Sequence, residues 1–286
     1  MRALFLAVLV SSTLMSGTLA FAQPMQARDT ADVGPRGSWS VGVFNPLRIA
    51  VHESVELQTH PLLFFVAPNV DARFALMRSP LRLTAEAGLS MPTLAMRLAK
   101  GYLFPNWETS QNDIGWMLIP RAGLLLSGNV LEHDVWTLRA DAAFRIPLGP
   151  NSATPLNSFL TPLDLVLAAP LTGFRSRVGG AYDHAFNDRL RLRGELNLYV
   201  TGSQGHLIVS GEDVGPIASI SPLVLTAHVG VDIAVFQHSR ITAGVLWANA
   251  DQGATRVSKG ADGFSERVRV RSNDFLPTLD FIWQGF

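Results

Sequence analysis

The side chains of this chain that could do acid–base or metal chemistry are seven histidines: His52, His60, His133, His184, His206, His228 and His238. Three of them have suggestive neighbours. His228 and Asp232 stand four residues apart, His184 follows Asp183, and His238 precedes Ser239. A serine hydrolase needs a hydroxyl nucleophile, a histidine base and an orienting carboxylate in mutual contact. On an extended strand the His228–Asp232 offset is roughly 13 Å, too long for a direct hydrogen bond. His238-Ser239 fits a tight turn, where adjacent side chains point apart. No catalytic residues are assigned on this pattern. Metal chemistry fares no better: the histidines lack zinc-type spacing, and there is no cysteine. The Asp-Gly loops at 249–253 and 260–263 carry too few carboxylates for calcium. No metal and no cofactor are expected.

The arginines form a more regular pattern. Arg189 to Val200 reads RLRLRGELNLYV. Leu190, Leu192, Leu196, Leu198 and Val200 share one parity, while Arg189, Arg191, Arg193, Glu195 and Asn197 share the other. A period of two is a strand with one apolar and one charged face. The same division recurs. Apolar residues run through Leu81–Leu89, Trp136–Ile146, Leu223–Val235 and Ile241–Trp247 at alternate positions. The opposite parity holds Arg82, Glu86, Arg139, Asp141, Arg145, His228, Asp232 and Arg240. Arg121, Arg177 and Asp183 fall in with these. All fifteen charged or histidine residues of this set, from Arg82 to Arg240, are candidates for one common polar face.

The elements that must carry them are strands. Candidates are Ser38–Phe44, Leu47–Gln58, Val70–Met77, Leu81–Leu89, Ile114–Ser127 and Val135–Ile146. They continue as Phe174–Phe186, Arg189–Thr201, Leu223–Phe236, Arg240–Ala248, Glu266–Arg271 and Phe275–Trp283, with Pro61–Val66 and Leu163–Ala168 as weaker additions. Tight turns fit at Asn45-Pro46, Ser79-Pro80, Asn187-Asp188 and Gln237–Ser239. Long connections run through roughly 91–113, 147–173, 202–222 and 249–265, and with these boundaries they fall on the same side as the chain termini. Pro92 to Gly101 departs from the pattern and predicts a short helix, with Leu94 and Leu98 on one face and Gly101 as its stop.

Composition narrows the class. Charged residues are 16% and hydrophobic ones 48%, with zero formal net charge. A broad attraction to nucleic acid is therefore not expected. The opening MRALFLAVLVSSTLMSGTLAFAQ has a positive start, an apolar core and the small-x-small triplet Ala20-Phe21-Ala22. It predicts a signal peptide over 1–22, a short segment over 23–36, and one domain over 37–286. No later apolar run is long enough for a membrane helix. Yet the apolar strand faces run for six or seven positions, longer than soluble strands usually allow. Trp39, Trp116, Trp136, Trp247 and Trp283 fall near strand ends on the apolar parity, as an aromatic girdle would.

On the signal peptide, the absence of cysteine, the alternating strands and the terminal Phe286, the chain resembles bacterial outer-membrane β-barrel proteins. The resemblance implies an all-β, transmembrane, up-and-down antiparallel barrel of about twelve strands, within a range of ten to fourteen. It implies an outer-membrane location, contact with membrane lipids and the barrel-assembly machinery, and a lumen lined by Arg82, Glu86, Arg121, Arg139, Asp141, Arg145, Arg177, Asp183, Arg189, Arg191, Arg193, Glu195, His228, Asp232 and Arg240. Such a lining supports either a paired network that stiffens the wall or a narrow passive, porin-like channel favouring small anionic solutes. The alternatives are a barrel-embedded lipid-modifying hydrolase and a secreted soluble β-sandwich that binds a ligand.

Overall fold

The computed structural model describes residues 25–99, 114–131, 133–149, 161–202, 206–209, 212–216, 222–259 and 265–285. The expected signal peptide, Gly101 and Phe286 lie outside them. Twelve antiparallel strands, each paired with its neighbours in sequence, close into one barrel. They are β1 (Trp39–Gly42), β2 (Leu47–His52), β3 (Val55–Thr59), β4 (Asn69–Met77), β5 (Arg82–Ser90), β6 (Met117–Asn129) and β7 (Asp134–Phe144), then β9 (Phe174–Asn187), β10 (Leu190–Thr201), β13 (Leu223–Phe236), β14 (Ser239–Lys259) and β15 (Ser265–Gly285). Closure comes from β1 on β15, with Trp39 facing Gly285 and Gly42 facing Ile282. A two-residue strand, β8 (Ile146–Pro147), adds to the start of β6. A small hairpin, β11 (His206–Val209) with β12 (Glu212–Pro216), stands apart from the barrel sheet. One closed sheet replaces the soluble-sandwich alternative, which needs two sheets facing each other.

Twelve strands were expected, but two boundaries move. Leu47–Gln58 is not one strand: it folds back at Glu53-Ser54, so that Ala50 faces Glu56 and His52 faces Val55. Glu266–Arg271 and Phe275–Trp283 are two parts of the single long β15. The split restores the usual polarity. The tight turns after β2, β4, β6, β9 and β13 share one end with both barrel termini, and the long connections share the other, together with the short β1–β2 turn. Pro61–Val66 and Leu163–Ala168 are corrected too. Pro61–Phe64 is the short helix α1, and Thr161–Thr172 is the helix α3. Brief apolar runs carry no period that separates helix from strand, and a proline in the first turn suits the helix in both.

The outward face is continuously apolar. Ile49, Leu57, Val70, Phe74, Leu124, Leu138, Val178, Leu196, Val229, Ile233, Val245 and Leu279 are all exposed. Leu196, in the stretch RLRLRGELNLYV, is 54% exposed while Arg191 and Arg193 beside it are buried. Trp39, Trp136 and Trp283 mark the tight-turn end of this belt, and Trp116 and Trp247 the other. The span from Phe275 to Trp283 on β15 is about 26 Å along the strand, or roughly 20 Å when projected at the tilt usual for membrane barrels. The indoles of Trp39 and Trp136 lie over Gly285 and Gly128, where any Cβ would meet the ring.

The helices belong to the long-connection end. The predicted helix exists as α2 (Thr93–Ala99), but its packed side chains are Thr93 and Met96 rather than Leu94 and Leu98, which are exposed. Met96 joins Ile114, Met117, Ile119, Ala143, Leu167, Ala169 and Leu171 in an apolar cluster. Ile119 and Ala143 lie on the inward parity of β6 and β7, so α2 and α3 pack into the barrel mouth. Arg145 donates to the Pro170 and Leu171 carbonyls at 2.9 and 3.3 Å, capping the end of α3. Gly173 follows in the left-handed conformation, φ 84°, and its N–H bonds the Ala169 carbonyl. Arg97 ties α2 to β6, donating to the Ile114 carbonyl at 2.6 Å and lying over the Trp116 ring at 5.1 Å.

Candidate functional site

The interior is organised around a stretch that sequence periodicity left unassigned. Residues 25–36 bond to strands on every side of the barrel. Met25 and Gln26 accept from Arg191 of β10 and Arg240 of β14 through their carbonyls, at 3.1 and 2.8 Å. Arg28 pairs with Asp232 of β13 at 2.7 Å, and its carbonyl accepts from Arg193 of β10 at 2.7 Å. Asp29 pairs with Arg48 of β2, and the Thr30 carbonyl accepts from Arg73 of β4. The Ala31 N–H donates to Ser127 of β6 at 2.8 Å, and the Ala31 carbonyl accepts from Thr84 of β5 at 2.5 Å. Asp32 pairs with Arg82 of β5 at 3.3 Å. A short segment can touch strands all round a closed barrel only from within. It crosses the lumen near the tight-turn end, then leaves through Gly37 (φ 86°), whose N–H bonds the Ala50 carbonyl, into β1.

Above this crossbar lies a layer of paired charges. Asp141 accepts from Arg177 at 2.5 Å, with Arg175 more distant at 3.5 Å. Arg193 bridges Asp183 at 2.7 Å and Glu195 at 3.0 Å, while Glu195 also accepts from Asn197. Arg73 sits between Glu56 at 3.0 Å and Glu86 at 3.3 Å. Arg121 pairs with Asp71 at 2.9 Å. Glycines make room for these acceptors. The Asp71 carboxylate lies where a Cβ on Gly88 would stand, and the Asp141 side chain crowds the same position on Gly123.

The predicted residues therefore fall into groups. Arg191, Asp232, Arg240 and Arg82 meet the crossbar, Glu86, Arg121, Asp141, Arg177, Asp183 and Glu195 belong to the layer above, and Arg193 reaches both. Arg139 borders a small space with Asp29 and Glu195. His228 bonds Thr278 at 3.0 Å on the β13–β15 side, next to a cavity of about 350 Å³ that Arg28 and Asp280 also border. Arg145 serves the mouth, on α3. Arg189 leaves the set: β10 begins at Leu190, so Arg189 is exposed in the β9–β10 turn. Sequence reading missed Arg48, Glu56, Arg73, Asp71, Arg175 and the whole of 25–36. The parity of the strand residues was readable in β2 to β4 and in β9. The segment has no period at all.

For the hydrolase alternative, His184 pairs with Asp134 of β7 at 2.5 Å rather than with its neighbour Asp183. Both lie on the outward parity at the tight-turn end. Among the described residues no serine hydroxyl bonds His184 or His228; a serine–histidine contact does occur between Ser54 and His52, in the exposed β2–β3 turn. Also among the described residues, no cluster of three or more His, Asp or Glu side chains is placed to hold a metal ion.

No family model and no curated protein matches the chain. Among solved structures it is similar to the outer-membrane expressed OmpT of Vibrio cholerae, with 9% identity and a TM-score of 0.43. The match covers 84% of this chain and 64% of that one, so the chain spans less than two thirds of that protein's length.

Proposed function

We propose that this chain is an integral outer-membrane β-barrel of a Gram-negative cell envelope whose lumen is closed at rest by its own residues 25–36. In this reading it is an envelope protein with a gated, anion-favouring path, not an open pore. The membrane assignment draws support from the belt of exposed aliphatic side chains between two sets of tryptophans, since such a surface on a closed barrel suits hydrocarbon. The observation that carries the closed state is the crossbar. A barrel of twelve strands falls between those filled by wall side chains and those that hold an aqueous channel, and here a chain segment occupies part of that extra width.

Charge decides the selectivity. Arg191, Arg193, Arg240 and Arg73 all donate to backbone carbonyls of the segment. If the segment leaves, these guanidinium groups lose acceptors and face the lumen, where an excess of fixed cations favours anions. The test is planar-bilayer recording on the mature chain and on a variant lacking residues 25–36. The mature chain should be silent or open only briefly, and the deletion should give a steady, anion-preferring conductance. A steady conductance of equal size from both proteins, or cation preference in the deletion, would overturn the reading.

A further inference from the structure

One cavity lies not in the ionic layer but above it, in the barrel mouth. It measures about 550 Å³, within the range of small-molecule sites. Its walls are mostly apolar, with Leu63 on α1, Met96 on α2 and Leu167 on α3. Its floor is not: Arg121 and Arg175 rise into it from β6 and β9, with Asp71 and His60 at the edge.

The two arginines are unequally committed. Arg121 has its carboxylate, Asp71, at 2.9 Å. Arg175 shares Asp141 with Arg177, and the sharing is uneven, 3.5 Å against 2.5 Å. Its other contact is the Leu165 carbonyl at 3.3 Å. Arg175 Nε is buried without a hydrogen-bond partner among the described residues, and so is Nδ1 of His60 at the same cavity. A partly buried guanidinium held only by long contacts beneath an apolar chamber is a receptor for a group that is negative at one end and apolar along the rest.

We propose that this cavity binds a single-chain anionic amphiphile, its carboxylate on Arg175 and its alkyl chain between α2 and α3. The site stands on residues of the mouth alone, so it is independent of whether the crossbar ever moves. Arg175 sets the polar end, and Ala95 on α2, which also lines the cavity, marks the chain end.

The test uses the full mature chain in zwitterionic lipid nanodiscs, with carboxyl-labelled dodecanoate as probe and empty discs as the partition control. Dodecanoate should bind saturably, while butyrate, which has charge without chain, and dodecanol, which has chain without charge, should bind at least about tenfold more weakly. Arg175→Gln should weaken dodecanoate binding about tenfold and leave dodecanol unchanged. Ala95→Trp, on a loop helix outside the barrel wall, should exclude the chain while heat-modifiable migration stays normal. Anionic phosphatidylglycerol in the disc should not compete. Equal binding by Arg175→Gln, indifference to chain length, or an unaffected Ala95→Trp would overturn the proposal. Full competition by phosphatidylglycerol would overturn the single-chain assignment in favour of a membrane lipid.

Discussion

The guanidinium of Arg193 meets the Arg28 carbonyl, the Asp183 carboxylate and the Glu195 carboxylate at once. Asp183 is 0% exposed, so removing its partner strands a charge. Arg193→Ala should cost about 3–5 kcal/mol, read as a lower unfolding temperature in heat-modifiable gel migration. Arg78→Ala should change nothing measurable, because the Arg78–Glu53 pair is exposed and 3.9 Å apart. An equal effect from both variants would mean that the interior pairs matter no more than surface ones. At this scale sequence reading went half way. Strict alternation in RLRLRGELNLYV assigned the parity of Arg191 and Arg193 without any structure. It put Asp183 on the same polar face, and Arg193 does meet Asp183. It could not supply Arg28 opposite Asp232, a contact across 204 positions of sequence, because local periodicity holds no information about what crosses a lumen.

Among elements, the crossbar and the mouth helices were the least legible. Residues 25–36 have neither alternation nor helical spacing, and their position depends on bonds to strands far away in sequence. The helices α1 and α3 looked like strands because four to six apolar residues suit either state when both faces are covered. The long strands were clear because each keeps one face wet with charge and the other apolar over many positions. The crossbar gives an accessibility prediction. Ala31 is 2% exposed. The chain has no native cysteine, so Ala31→Cys adds a single thiol. In folded barrels it should resist a water-soluble maleimide, whereas Phe44→Cys, in the exposed β1–β2 turn, should react quickly. Rapid labelling at position 31 would place the segment outside the lumen.

For the whole molecule, the belt makes the sharpest prediction. Val178 lies midway along β9 on the outward face and is 62% exposed. In a bilayer, Val178→Arg should cost about 2–4 kcal/mol and lower the yield of heat-modifiable barrel, while in a water-soluble barrel it should be harmless. The belt and the strand number were visible in the sequence, and the direction of the loops was not, since one overlooked two-residue turn at Glu53-Ser54 reverses it. The closing seam has a further consequence. Its first stave, β1, is four residues long and has only two registered pairs with β2. The Asp280 carboxylate helps it by accepting the Val43, Phe44 and Asn45 N–H groups. Residues 25–36 run directly into this weakest stave and grip strands on both sides of it, Arg48 and Arg73 on one, Arg240 and Asp232 on the other. The segment is thus an internal clasp across the seam where β1 meets β15. Barrels lacking it should take longer to close on lipid vesicles, read as slower appearance of the heat-modifiable band.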